Sequence, residues 1–150
     1  MSSSTPPQKK PPITCHVLDT TTGRPARAIP VTLTLLSPLG PSAPLTAVTN
    51  ADGRVTAWSG DEGPDAAERT LEELFREQAE REMGAGAEEA EMVWALRLDV
   101  KAFWRGRGVR AFFEEVEVRF VVRGGDVKGG ERFHVPVLLG PFSYSTYRGS

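Results

Sequence analysis

Hydrophobic and polar residues alternate along several short segments of this chain, as they do in β-strands that have one buried face. Residues with turn-forming side chains (Gly, Pro, Asn and Asp) separate these segments. The predicted strands are residues 13–18, 29–36, 45–48, 54–58, 93–98, 112–122, 132–139 and 142–147. Many short strands with little helix between them indicate a mainly β protein, built as a sandwich of two sheets.

Glycine-rich turns mark two places where neighbouring strands are expected to form hairpins. Asp52-Gly53 separates residues 45–48 from residues 54–58, and Asp-Gly favours a tight turn because glycine accepts a positive φ. The glycine pairs at 124–125 and 129–130 lie between residues 112–122 and 132–139. Residues 19–25 are expected to be a loop, because they are rich in turn-forming residues.

One long segment has the pattern of a helix instead. In residues 65–83, Leu71, Leu74 and Phe75 form a narrow apolar face, and most of the other positions are charged. Asp65 with Glu68 resembles the capping pair that begins a helix. Residues 100–104 are expected to form a short helix or a turn.

Composition places the chain in a broad class. Its 150 residues predict one domain with its own core, at residues 13–150, preceded by a polar, proline-rich lead-in at 1–12 that we expect to be disordered. The formal charge of −2 argues against a nucleic-acid binder. With Cys15 as its one cysteine, the chain can form no internal disulfide, which fits a reducing compartment, and it has few ligands for structural zinc. We find neither a membrane-spanning apolar run nor a signal peptide in the sequence.

Both histidines of the chain fall on the outer faces of predicted strands. His16 lies opposite the apolar face of residues 13–18, and His134 lies opposite the apolar face of residues 132–139. Each has leucine or proline beside it, which suggests that another surface, such as a second subunit, covers these faces. Histidine is the side chain best suited to proton transfer near neutral pH. Spacing alone does not distinguish a paired site from two isolated surface histidines.

Three other features of the sequence allow two interpretations, a role in a functional site or an ordinary structural role. Arg54 follows the Asp-Gly turn, where it is either a site residue or a solvated arginine at a strand end. The last residues are either a frayed tail or an ordered segment, and Tyr144 and Tyr147 favour order because their rings are worth burying. Cys15 is not expected to be a nucleophile paired with His16, because neighbours on a strand point to opposite faces.

Several segments closely resemble the 5-hydroxyisourate hydrolases, the transthyretin-related enzymes of purine breakdown. They are residues 13–19, 23–26, 49–54, 134–139 and 144–150. The resemblance covers nearly the whole chain from Ile13, apart from an insertion at about residues 60–91. The closing Tyr-Arg-Gly-Ser is the most specific part, since transthyretin, the hormone carrier of the same fold, lacks it.

The resemblance implies a fold, an assembly and a site. The fold is a transthyretin-like (prealbumin-like) sandwich of two four-stranded sheets, here with an inserted helix at about 65–83. The assembly is a homotetramer, a dimer of dimers, with active sites where the dimers meet. The implied catalytic residues are His16, Arg54, His134 and Ser150, and the implied substrate-binding residues are His16, Arg54, Tyr147, Arg148, Gly149 and Ser150.

The implied reaction is the hydrolysis of 5-hydroxyisourate to the ureido-imidazoline carboxylate OHCU, without a metal or cofactor. One histidine acts as general base toward water, with the choice between the two left open, and Arg54 stabilises the oxyanion. The alternatives are a transthyretin-like carrier of a small apolar ligand and a structural module that binds protein. The expected location is the cytoplasm, with the peroxisome as the alternative, since the chain does not end in a Ser-Lys-Leu-type signal.

Overall fold

The computed structural model describes residues 10–38, 43–60, 71–77 and 91–150, which form a two-layered β-sandwich. The strands are β1 (Ile13–Asp19), β2 (Arg24–Pro25), β3 (Pro30–Ser37), β4 (Leu45–Val48), β5 (Arg54–Val55), β6 (Glu91–Asp99), β7 (Glu115–Arg123), β8 (Phe133–Leu139) and β9 (Tyr144–Thr146). The helical segments are α1 (residues 71–77), α2 (Lys101–Arg105) and α3 (Gly124–Lys128).

One sheet has the order β2-β1-β8-β9, with β5 also paired to β1, and the other has the order β4-β3-β6-β7. The pairing of β1 with β8 is parallel, whereas every other pairing of the described strands is antiparallel. The predicted sandwich of two four-stranded sheets is therefore confirmed, with one addition. The two-residue strand β2, which was expected to be loop, shares the outer edge of β1 with β5.

The core lies between the two sheets, where the apolar face of each strand points. It includes Ile13, Cys15 and Val17 of β1, Val31, Leu33 and Leu35 of β3, Trp94, Leu96 and Leu98 of β6, Val116, Val118 and Val122 of β7, and Phe133, Val135 and Val137 of β8. The alternation read from the sequence is thus confirmed in these strands. It leaves His16 and His134 partly buried on the outer face of the first sheet.

Of the two predicted hairpins, the one between residues 112–122 and 132–139 does not form, and the one around Asp52-Gly53 forms only in part, through an isolated antiparallel bridge of Thr46 with Ser59. Strand β4 belongs to one sheet and β5 to the other, and β7 and β8 are likewise divided between the sheets. Residues 124–128 form α3 rather than a tight turn. Turn residues allow a chain to reverse, but they do not decide which sheet receives the next strand. In a sandwich, crossing to the opposite sheet keeps the apolar faces of both strands in one core.

Helix α1 is the described part of the predicted helix at 65–83. Leu71 is fully buried and Phe75 is 7% exposed, so the predicted apolar face does contact the core. The ring of Phe75 packs against those of Trp94 and Phe133, at centroid distances of 6.2 and 5.8 Å. The predicted capping pair, Asp65 and Glu68, lies outside the described residues. The short helix expected at 100–104 is confirmed as α2.

Residues 10–12 belong to the lead-in that was expected to be disordered, but they contact the sandwich. The backbone N–H of Phe133 donates to the carbonyl of Pro12 at 2.8 Å. The guanidinium of Arg132 donates to the carbonyl of Lys10. The contact with Pro12 is part of the first pair of the β1–β8 ladder, Ile13 with Phe133. Among the described residues, no helix has the length and apolar character needed to cross a membrane.

Candidate active site

The two histidines meet on the outer face of the first sheet. In the parallel register of β1 and β8, Thr14 lies opposite His134 and His16 lies opposite Pro136. His16 and His134 are therefore diagonal neighbours across two hydrogen-bonded strands. Their rings are stacked, with centroids 6.4 Å apart and an interplanar angle of 28°. Two imidazoles at this separation can both contact one small, flat molecule.

Arg54 lies directly opposite His16, in the antiparallel pairing of β5 with β1. The turn before it is shaped by Asn50, whose side-chain oxygen accepts hydrogen bonds from the N–H groups of Asp52 (2.9 Å) and Arg54 (3.0 Å). Arg54 is exposed, and its guanidinium forms no ion pair with any residue in the described part of the chain. A cation thus stands beside the histidine pair and is available to a ligand.

Gly53 makes this placement of Arg54 possible. Its φ is +71°, and its carbonyl accepts a hydrogen bond from the N–H of Val17 at 2.8 Å. A Cβ at this position would lie 2.5 Å from the carbonyl oxygen of Val17. Any side chain here would push the turn away from β1, and Arg54 would move with it.

Thr14 fixes the ring of His134, a role that the sequence analysis missed. The Thr14 hydroxyl and Nδ1 of His134 are hydrogen-bonded at 2.7 Å, and the tautomer decides which of the two donates. With Nδ1 engaged, Nε2 is the ring nitrogen that can serve a substrate. No sequence signal could have found this contact, because it depends on the pairing of β1 with β8, which joins residues 120 positions apart.

The last residues of the chain lie against His134. Strand β9 pairs with β8, and the N–H of Gly149 then donates to the carbonyl of His134 at 2.9 Å. A Cβ on Gly149 would lie 2.6 Å from Cδ2 of His134 and 2.9 Å from Cγ of Pro136. The terminal segment is therefore ordered rather than frayed, and glycine allows its backbone to touch the imidazole.

The side chains of the terminal segment have different surroundings. Tyr147 is 59% exposed and Tyr144 is 37% exposed, so the single chain does not bury the two rings. Ser150, beyond Gly149, is exposed as well. Arg148, implied above as a substrate-binding residue, places its guanidinium 5.1 Å from the centroid of the Phe133 ring. Phe133 is buried on the core face of β8, so this guanidinium points away from the face that carries the histidines.

The pKa values of both histidines are lowered from the ordinary 6.5. Burial is the main cause for each of them, and the positive charge of Arg54 is the second. For His134, the charges of His16 and Lys10 lower the pKa further. For His16, the backbone and the carboxylate of Asp52 act in the opposite direction. Both imidazoles are therefore neutral near pH 7 and able to accept a proton.

Cys15 takes no part in this arrangement. Its side chain is completely buried in the core, and burial raises the pKa of the thiol to about 12. The prediction that Cys15 does not act with His16 as a nucleophile is confirmed. Within the described ranges, no group of three or more His, Cys, Asp or Glu side chains could hold a metal ion.

The sequence model of the HIUase/transthyretin family matches residues 13–149. This chain belongs to the HIUase/transthyretin family. A probable 5-hydroxyisourate hydrolase of Schizosaccharomyces pombe is 34% identical to it, in an alignment that covers 100% of both proteins. Membership of the family accounts for the fold.

Two solved structures, a 5-hydroxyisourate hydrolase and a transthyretin, share the fold of this chain. A Klebsiella pneumoniae 5-hydroxyisourate hydrolase is 26% identical, with a TM-score of 0.58, and the match covers 92% of this chain and 98% of that one. Sea bream transthyretin, solved with thyroxine, is 24% identical, with a TM-score of 0.65 and coverage of 92% and 94%. The transthyretin likeness supports the fold alone, so a choice between activities depends on the site.

Proposed function

We propose that this protein hydrolyses 5-hydroxyisourate to OHCU in the breakdown of urate. The observation that carries the proposal is the stacked pair of histidines, with Arg54 opposite one and Gly149 of the terminal segment against the other. The relatives named above as 5-hydroxyisourate hydrolases support it. A carrier of an apolar ligand has no need for this polar set.

In the proposed reaction, water adds to a ring carbonyl of 5-hydroxyisourate. The resulting tetrahedral carbon expels the ring nitrogen, and breaking this C–N bond yields a carboxylate and an N–H. One histidine takes a proton from the attacking water, and the imidazolium that forms gives a proton to the leaving nitrogen, directly or by way of the other histidine. The hydrogen bond between Nδ1 of His134 and the Thr14 hydroxyl orients His134. In the tautomer in which Nδ1–H donates to Thr14, Nε2 is free to accept a proton, which favours His134 as the base, because a base held by a third group is already aligned for attack.

Arg54 is proposed to stabilise the negative charge that develops on the carbonyl oxygen. Its guanidinium has no carboxylate partner among the described residues, so it can turn toward a substrate without breaking an ion pair. The same positive charge lowers the pKa of both histidines and keeps them neutral for the first step. The planar fork of an arginine also matches the carbonyl groups of a urate-like ring.

The terminal segment is proposed to complete the site. Ser150 is assigned to the catalytic set with His16, Arg54 and His134. Tyr147, Gly149 and Ser150 are assigned to substrate binding, supported by the contact of Gly149 with the His134 ring. We further propose a homotetramer, a dimer of dimers, whose dimer–dimer contact covers this face. The half-exposed Tyr147 ring and the apolar Leu18 and Leu138 on the same outer face support such a cover.

We also propose that the protein works in the cytoplasm. Its one cysteine is a free, buried thiol, which fits a reducing compartment. The peroxisome remains the alternative.

The proposed function is tested with substrate made in the cuvette. Urate oxidase converts urate to 5-hydroxyisourate, and the decay of its ultraviolet absorbance is followed with and without this protein. We expect faster decay with the intact chain and decay at the spontaneous rate with a variant that lacks residues 147–150. Spontaneous decay in the presence of the folded, intact protein would refute the hydrolase and favour a ligand carrier.

A further inference from the structure

Arg148 is held by two contacts on the side of the chain away from the histidines. Its guanidinium forms a 2.8 Å ion pair with the carboxylate of Glu131 and lies over the ring of Phe133. The backbone of Glu131 is held in place, because its N–H donates to the carbonyl of Asp126 in α3 at 3.0 Å. Arg148 directly precedes Gly149, whose backbone touches the His134 ring. Its contacts therefore act on the residue that borders the proposed base.

The Phe133 ring connects this terminal arginine to the inserted helix. Phe133 is 4% exposed, and its ring makes an edge contact with Phe75 of α1 at a centroid distance of 5.8 Å. Phe75 in turn packs on Trp94 of β6. The rings of Trp94, Phe75 and Phe133 are thus in contact one after another, and the guanidinium of Arg148 lies over the last of them. The inserted helix packs beneath the strand that carries His134.

We propose that Glu131 and Phe133, supported by Phe75 of α1, anchor Arg148 and thereby hold Gly149 against His134. Arg148 is then a positioning residue for the hydrolysis proposed above, on which this inference rests, and it does not contact the substrate. The direction of its side chain supports this role, because a guanidinium over the core-facing Phe133 points away from the outer face. The last residues of a chain fray unless contacts hold them, and these contacts of Arg148 stabilise the segment in addition to the Gly149 hydrogen bond.

The anchor is tested without substrate by hydrogen exchange at the Gly149 amide, which reports local opening of the terminal segment. Glu131→Gln removes the ion pair, and we expect protection to fall about 2- to 5-fold, as for an exposed pair. Phe75→Leu keeps an apolar side chain but removes the edge contact, and we expect a smaller fall in the same direction. The charge exchange Glu131→Arg with Arg148→Glu is expected to give more protection than Arg148→Glu alone, since it re-forms the ion pair but not the cation contact with Phe133.

The matched control is Glu115→Gln, which breaks the ion pair of Arg97 with Glu115 on the other sheet. The side chains of that pair are 57% and 55% exposed, close to the 57% and 50% of Arg148 and Glu131. We expect Glu115→Gln to change neither the protection of Gly149 nor the rate of 5-hydroxyisourate decay. Glu131→Gln should lower that rate only in proportion to the closed fraction of the terminal segment that the measured protection gives, and the charge exchange should raise it above that of Arg148→Glu alone.

A direct substrate contact by Arg148 gives a different set of results. Arg148→Ala would then lower the rate, Glu131→Gln would leave rate and protection unchanged, and the charge exchange would restore nothing. This outcome overturns the anchor. If Phe75→Leu leaves the protection of the Gly149 amide unchanged, then α1 does not support the anchor. Because exchange needs no substrate, a wild-type protein that fails to hydrolyse 5-hydroxyisourate refutes the proposed function separately.

Discussion

Replacing Gly149 with alanine tests whether the terminal backbone positions His134. The added Cβ would lie 2.6 Å from Cδ2 of His134 and 2.9 Å from Cγ of Pro136. Carbon atoms in contact are normally about 3.5 to 4.0 Å apart, so one partner must move by about 1 Å. Pro136 is fixed in β8, and therefore either the imidazole turns or the terminal segment lifts away.

Both responses disturb the proposed catalytic geometry. A misplacement of about 1 Å in a reacting group can lower a rate by about 100-fold. If the segment lifts, the hydrogen bond from Gly149 to the His134 carbonyl is also lost, at a cost of about 1 kcal/mol. That loss is confined to the chain end, so we expect the midpoint of urea unfolding to change little.

The assay is kcat/KM for 5-hydroxyisourate decay, measured beside urea unfolding of the same preparation. The control is Gly129→Ala, where the new Cβ would meet carbonyl oxygens at an ordinary 3.5 Å. We expect Gly129→Ala to keep its activity and Gly149→Ala to lose about 100-fold. A Gly149→Ala variant with kcat/KM within twofold of wild type would refute the claim that this contact sets the position of the histidine.

Three further predictions concern the polar residues of the site. His16→Ala and His134→Ala should each lower turnover by about 10²- to 10⁴-fold, with unchanged circular dichroism, and full activity in either variant removes that residue from the mechanism. The acid limb of the kcat/KM–pH profile should lie below 6.5, because both histidines have lowered pKa values and must be neutral. Arg54→Gln removes a positive charge that disfavours imidazolium, so the limb should move to higher pH but stay below 6.5, because burial, the main cause, remains. A limb that does not move contradicts this electrostatic role. Thr14→Val deletes the hydrogen bond to Nδ1 of His134 and should lower kcat/KM by about 2- to 10-fold, whereas unchanged activity shows that the ring is held by other contacts.

Alternation alone predicted the faces of the strands. The apolar Ile13, Cys15 and Val17 enter the core, and His16 is left on the opposite face, because successive strand residues must point in opposite directions. The same reasoning excluded Cys15 from the site. These predictions depend only on local geometry, which the sequence specifies at short range.

Pairing between distant strands could not be predicted in this way. The turns before β5 and β8 were read as hairpins, yet at both places the chain crosses to the other sheet. The contact of Thr14 with His134 depends on the parallel pairing of β1 with β8, for which no local pattern gives evidence. The resemblance identified Arg148, but the direction of its side chain follows from Glu131 and Phe133, which are separated from it in sequence.

The parallel pairing of β1 with β8 also sets the order in which the protein can mature on the ribosome. Thr14 is translated 120 residues before His134, an interval of roughly 6 to 24 s at ordinary elongation rates. During this time β2 and β5 can pair with one edge of the nascent β1. The backbone groups of its other edge stay unpaired, because β8 has not yet been made. With the site proposed above, a growing chain cannot hydrolyse 5-hydroxyisourate until β8 has left the exit tunnel, and until then one edge of β1 stays open to pairing with other chains.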